Sequence, residues 1–151
     1  MNKGDEHWMT LALQEATLAA EMGEVPVGAV IVRGEEEIGR AHNQRETDQD
    51  PLAHAEMLAI GIAARRIGSW RLSDCTMYVT LEPCAMCAGG LVNSRMKRLV
   101  FGADDRKGGY CGSLGNLVQD ARMNHRSEVS SGILAEESTE LLRSFFAALR
   151  Q

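Results

Sequence analysis

Apolar positions along the chain recur at two periods, and the switches between them divide it into alternating helices and strands. Met9, Leu13, Ala16 and Ala20 fall on one face at helical spacing, and Gly23 follows as a stop. "VGAVIVRGEEEIGRAHN" predicts two strands joined by a turn near Gly34. The polar run from Gln44 to Asp50 reads as a loop. A second helix is expected over Ala53 to Arg66, with Gly68 beyond its end. "TMYVTL", rich in β-branched and aromatic residues, is a strand leading into "EPC", where Pro83 suits the first turn of a third helix reaching about Asn93. "RLVFGA" predicts another strand and the glycine-rich "KGGYCGSLGN" a loop. Asn124 to Ser131 is compatible with a loop or a short strand, and Leu134 to Leu149 makes a final amphipathic helix. No repeat, linker or low-complexity segment interrupts this order. The expectation is one α/β domain over residues 1–151, with a central sheet and helices on both faces.

Composition narrows the classes. The 151 residues are 44% hydrophobic and 25% charged, a globular balance sufficient for one buried core. No apolar stretch is long enough to span a bilayer, and "MNKGDEHWMT" lacks the apolar centre of a secretory signal. A cytoplasmic protein is therefore expected, without a membrane. In that reducing compartment, four cysteines point to metal or redox chemistry rather than a disulfide framework. The net charge of −5, from 16 basic and 21 acidic residues, opposes nucleic-acid binding. Basic islands such as Arg65–Arg66, Lys97–Arg98 and Arg106–Lys107 permit it locally, although such islands are usually solvated surface.

The candidate chemistry lies in "PLAHAEML" and "TLEPCAMCAGG". His54 and Glu56 are expected in the first turn of the second helix, and Cys84 and Cys87 in the first turn of the third. Helix N-termini carry free N–H groups and the positive end of the dipole, which favour thiolate, the zinc-binding form. The spacing of the cysteines turns both sulfurs to one side. A lone C-x-x-C could be a redox pair or buried thiols, and a lone H-x-E suits any helix start. Together, with Cys84 thirty residues after His54, they are far harder to obtain by chance. His54, Cys84 and Cys87 make three ligands without a fourth, and catalytic zinc sites leave one position for water. Two thiolates and a neutral imidazole cancel the charge of zinc, so a nearby base is needed, and Glu56 is placed to supply it. Cys75 reads as core. Cys111 has no evident partner. Glu82 reads as a solvated acid at a helix start, with RNA contact or orientation of a ligand loop as alternatives.

At these residues the chain resembles the zinc-dependent nucleobase deaminases. "EVPVGAVIV", "DPLAHAEMLAI", "YVTLEPCAMCAGG", "FGADDRKGG" and "GILAEE" extend the resemblance to the bacterial tRNA-specific adenosine deaminases over nearly the whole length. The resemblance implies a three-layer α/β/α cytidine-deaminase-like fold with a central mixed sheet. It also implies deamination of the wobble adenosine in a tRNA anticodon stem-loop to inosine, by a homodimer with one zinc per subunit. His54, Cys84 and Cys87 would then bind zinc, and Glu56 would carry protons. Asn43 would hydrogen-bond the target base, Asp105 and Lys107 would contact the flexed anticodon loop, and Phe145 and Arg150 would lie on the substrate-facing last helix. The chain departs from the family where His42 replaces a frequent tryptophan, and where Tyr110 and Cys111 replace smaller residues. The nearest rival is a deaminase of free guanine, cytosine or a nucleotide on the same fold. "FGADDRKGG" and "FFAALR" favour the RNA-acting branch. A silent zinc subunit would have lost the glutamate, and Glu56 is present.

Overall fold

The computed structural model describes residues 3–150. Five strands form one mixed sheet in the order β2-β1-β3-β4-β5. They are β1 (Gly28–Arg33), β2 (Glu36–His42), β3 (Cys75–Leu81), β4 (Arg98–Ala103) and β5 (Glu128–Ser130). β1 runs antiparallel to both β2 and β3, whereas β3–β4 and β4–β5 are parallel. Helices α1 (Asp5–Glu21) and α5 (Ala135–Leu149) cover one face, and α3 (Ala55–Ile67) and α4 (Ala85–Asn93) the other. This is the expected three-layer arrangement.

Strand alternation builds the two cores. Ala29, Ile31, Met77, Val79, Leu99 and Phe101 face α3 and α4, while Val30, Val32, Tyr78 and Val100 face α1. Both faces are buried, so the central strands read as continuous apolar runs. Ala55, Ala59 and Ala63 are fully buried and let α3 lie close on β2, where a Cβ on Gly39 would come within 2.8 Å of the Ala59 carbonyl.

Three expectations shift and one open alternative is settled. The buried stripe of α1 is Trp8, Met9, Ala12, Ala16 and Ala19, one residue round from the anticipated face, which leaves Leu13 and Ala20 half-buried. Gln44–Asp50, expected as a loop, contains the single-turn helix α2 (Arg45–Asp48). Its cause is remote in sequence. The fully buried Glu24 accepts hydrogen bonds from the Glu46 and Thr47 N–H groups and the Thr47 hydroxyl, which caps the turn. Burial alone would raise Glu24, but these donors outweigh it and hold the carboxyl below its usual range. Pro83 precedes the α4 cap instead of opening the helix, and Glu128–Ser130 resolves as strand through its parallel pairing with Arg98–Val100.

The topology brings the chemistry to one edge. Parallel pairing carries the chain out of β3 and β4 on the same side, and the Glu82 N–H donates to the Ala103 carbonyl at 2.9 Å. The antiparallel β1–β2 pair places Val25, Val27 and Asn43 at that edge too, with Gly28 opposite His42. No described helix is long and apolar enough to cross a membrane.

Candidate active site

His54 and Cys84 occupy the cap positions of α3 and α4, in extended backbone, so each side chain projects past a helix start rather than from within its first turn. Cys87, one turn into α4, is fully buried. Cys84 Sγ lies 3.6 Å and Cys87 Sγ 3.5 Å from His54 Nδ1, and the three donor atoms lie within 4.8 Å of one another. A tetrahedral zinc with bonds of about 2.3 Å to sulfur and about 2.0–2.1 Å to nitrogen requires an S···N separation of roughly 3.6 Å. The donor set fits that ion in both spacing and chemistry.

The charges interact strongly. The Cys87 thiol and the His54 ring hydrogen-bond the Cys84 sulfur, which brings Cys84 down to about 3. The Cys84 thiolate in turn drives Cys87 well up, with burial adding to it, because two anions in contact cannot both ionise unaided. His54 is raised by the Cys84 sulfur. A divalent cation would relieve this and let both thiols lose their protons.

Glu56, on the first turn of α3, is only 4% exposed, and its side chain lines the cleft that His54 and Cys84 also border. Burial pushes its carboxyl up to about 7, against the opposing pull of a backbone hydrogen bond and His54. A group poised near neutrality is suited to both taking and giving a proton. The cleft holds 220 Å³ between Val25, Val27, Asn43, Arg45 and Leu81. Asn43 is buried in its wall. Its amide donates to the Val25 carbonyl and its oxygen accepts the Arg45 N–H, both at 3.3 Å.

Val25, Leu81 and Asp105 also line a second groove of 660 Å³, which adjoins the cleft. That groove is bordered by Arg106, Lys107, Leu142, Phe146 and Arg150. The structure thus brings Asp105, Lys107 and Arg150 together beside the cleft. Phe145 does not join them. It is half-buried on the stripe that follows Ser138 and Leu141, and its neighbour Phe146, 41% exposed, lines the groove instead.

Glu82 corrects a further expectation. It is 2% exposed rather than solvated, and hydrogen bonds from Asp105, Cys111 and Ser113 surround it. Burial would raise it, but those bonds hold it below its usual value. Cys75 is core, as expected, and Cys111 is core as well. Sequence reasoning missed Glu24, Arg45 and Phe146. Only the proximity of Arg45 to Asn43 offered a local signal.

Fold and site together define a zinc-type deaminase, and the MafB19-like deaminase model matches residues 3–150. The tRNA-specific adenosine deaminase of Bacillus subtilis (strain 168) is 55% identical over 147 residues, 97% of this chain and 91% of the relative. That of Haemophilus influenzae (strain Rd) is 48% identical over 97% of this chain and 86% of its own length. A structure solved in work on A-to-I editing by tRNA:A34 deaminases at the wobble position superposes with a TM-score of 0.87 at 42% identity, covering 90% of this chain and 99% of that one. The chain belongs to the MafB19-like deaminase family and, within it, to the tRNA-specific adenosine deaminases. Guanine deaminase from Nitrosomonas europaea shares the fold alone, with a TM-score of 0.84 at 22% identity.

Proposed function

We propose that this chain hydrolyses the wobble adenosine of a tRNA anticodon to inosine and releases ammonia. His54, Cys84 and Cys87 would hold one zinc. When bound, the ion supplies Lewis-acid activation of a water molecule for attack on carbon 6 of adenine. The chain's own residues do the rest. Glu56 takes a proton from the attacking water at its buried carboxylate and delivers it to the ring nitrogen beside carbon 6. It then takes the proton of the hydroxyl now on carbon 6 and passes it to the amine, which leaves as ammonia. Asn43 holds the base edge, and its fixing by Val25 and Arg45 leaves little freedom to be lost on binding. Val25, Val27 and Leu81 displace water from the base. An unpaired loop offers its bases with little unstacking, which suits a recessed cleft.

The observation that carries this reading is adjacency. A cleft lined by His54, Glu56 and Cys84 shares its Val25, Leu81 and Asp105 wall with a groove edged by Arg106, Lys107 and Arg150. A free-base deaminase has no use for that extension. Incubation with total tRNA followed by inosine mapping should place inosine at the first anticodon position. Efficient conversion of free guanine, cytosine or adenosine with untouched tRNA would assign the chain to the free-base branch. The family resemblance also supports a single deaminase domain over residues 1–151 that acts as a cytoplasmic homodimer, and sedimentation of the zinc-loaded protein tests the assembly.

Two substitutions separate the contacts. The net charge of −5 opposes long-range attraction, so RNA binding rests on local cations. Each neutralised phosphate on a single strand contributes a salt slope of about −0.7. Lys107→Ala is expected to weaken stem-loop binding and flatten the slope by roughly one contact. Asn43→Ala is expected to reduce turnover and leave the slope alone, since it meets a base. A salt titration of both variants checks this, and an unchanged slope in Lys107→Ala would remove Lys107 from the interface.

A further inference from the structure

Three acids, Glu56, Glu82 and Asp105, line the cleft, and the last two are tied into one loop. Glu82 spends its whole acceptor capacity on one loop. Its Oε1 accepts the Asp105 N–H at 2.9 Å and the Ser113 hydroxyl, and its Oε2 accepts the Cys111 N–H at 3.1 Å and the Ser113 N–H at 2.9 Å. An ionised carboxylate offers about four acceptor positions, so none remains for substrate. The donors come from both ends of the 105–113 segment and converge on a single anion. The loop backbone closes over that anion at Gly109, where a Cβ would fall within 2.3 Å of the Glu82 carboxyl carbon. Such a ring of N–H groups is a nest for negative charge. Asp105 completes the turn from its own side by accepting the Lys107 and Gly108 N–H groups, both at 3.1 Å.

From this geometry we propose that Glu82 is a positioning residue for RNA binding: its carboxylate holds the 105–113 loop in the conformation that presents Asp105 and Lys107 along the groove. The inference rests on the assignment of Lys107 to RNA contact. The loop departs from β4 and carries three glycines, Gly108, Gly109 and Gly112, so it would otherwise sample many conformations. Fixing it before RNA arrives removes an ordering penalty from binding. A glutamine could not replace the acid, because its amide group would confront two of the N–H donors that the second oxygen now satisfies. The opposite wall of the cleft has an equivalent brace in Glu24, which holds Glu46 and Thr47 and touches none of these atoms.

The test is a double-mutant cycle on stem-loop binding in zinc-loaded protein. Glu82→Gln should weaken binding by roughly tenfold to a hundredfold, as expected for loss of bonds to a charged acceptor, with zinc content retained and KM affected more than kcat. In that background Lys107→Ala should add little and no longer flatten the salt slope, because the lysine is already out of place. In a Glu24→Gln background Lys107→Ala should keep its full effect. Ser113→Ala, a milder change that keeps the anion, should shift binding in the same direction and couple to Lys107→Ala. Additive effects of Glu82→Gln or Ser113→Ala with Lys107→Ala would overturn the proposal, as would a Glu82→Gln loss confined to kcat. If Lys107→Ala has no effect even in the wild-type background, the RNA assignment of Lys107 fails. Amide hydrogen exchange then decides the brace separately: protection at Asp105, Cys111 and Ser113 must fall in Glu82→Gln, and unchanged protection would overturn it.

Discussion

Glu56→Gln is expected to abolish turnover while zinc and stem-loop binding persist. The substitution keeps shape and hydrogen-bonding reach but cannot carry a proton. General acid–base groups commonly contribute ~10²–10⁴-fold, and here one residue serves more than one transfer, so the upper end of that range or more is expected. The other two acids lining the cleft are engaged in the loop. The acceptor positions of Glu82 are filled, and Asp105 Oδ1 is engaged by the Lys107 and Gly108 N–H groups. Single-turnover deamination of an anticodon stem-loop, with zinc measured on the same sample, checks this. Activity within a few-fold of wild type would take Glu56 out of the proton path.

The second large effect concerns metal. Wild type should contain about one zinc per chain, and Cys87→Ala should lose most of it under the same purification, because three donors become two. The chain itself should still fold, since Cys87 is a small side chain outside the apolar cluster that the strands, α3 and the rest of α4 build. Thermal melts separate the two consequences. Added zinc should raise the melting temperature of wild type by stabilising the folded state that binds it, and should not do so for Cys87→Ala. The sign with pH follows from the donors. Cys87 lies far above its usual value and His54 is raised, so zinc capture releases protons and apparent affinity falls as pH drops. Full zinc occupancy in Cys87→Ala would mean that the ion sits elsewhere.

The contrast between the ligand set and the groove shows what a linear reading reaches. His54 with Glu56, and Cys84 with Cys87, are each local pairs placed by one helix start, so spacing and capping rules located them. That His54 and Cys84 are the caps themselves, not first-turn residues, is a boundary shift of one or two positions. The strands were equally legible, because burial on both faces demands the apolar runs that mark them. The facing of the last helix was less legible. Two adjacent aromatics lie about 100° apart around a helix, and only the packing of α5 on β4 decides that Phe146 turns to the groove.

The order of elements, the two buried faces of the sheet and the candidate metal donors with their neighbouring glutamate were legible along the chain, since each depends on neighbours within a few residues. Tertiary structure alone decided the braces and the shape of the substrate surface. The turn of α2 depends on Glu24, more than twenty residues away, and the 105–113 loop depends on Glu82 at a similar remove. A buried carboxylate among backbone donors has no periodicity and looks, in sequence, like any solvated acid. Its meaning comes from the strand pairing that brings distant N–H groups onto it, and from the cost of leaving such a charge unpaired once water is excluded.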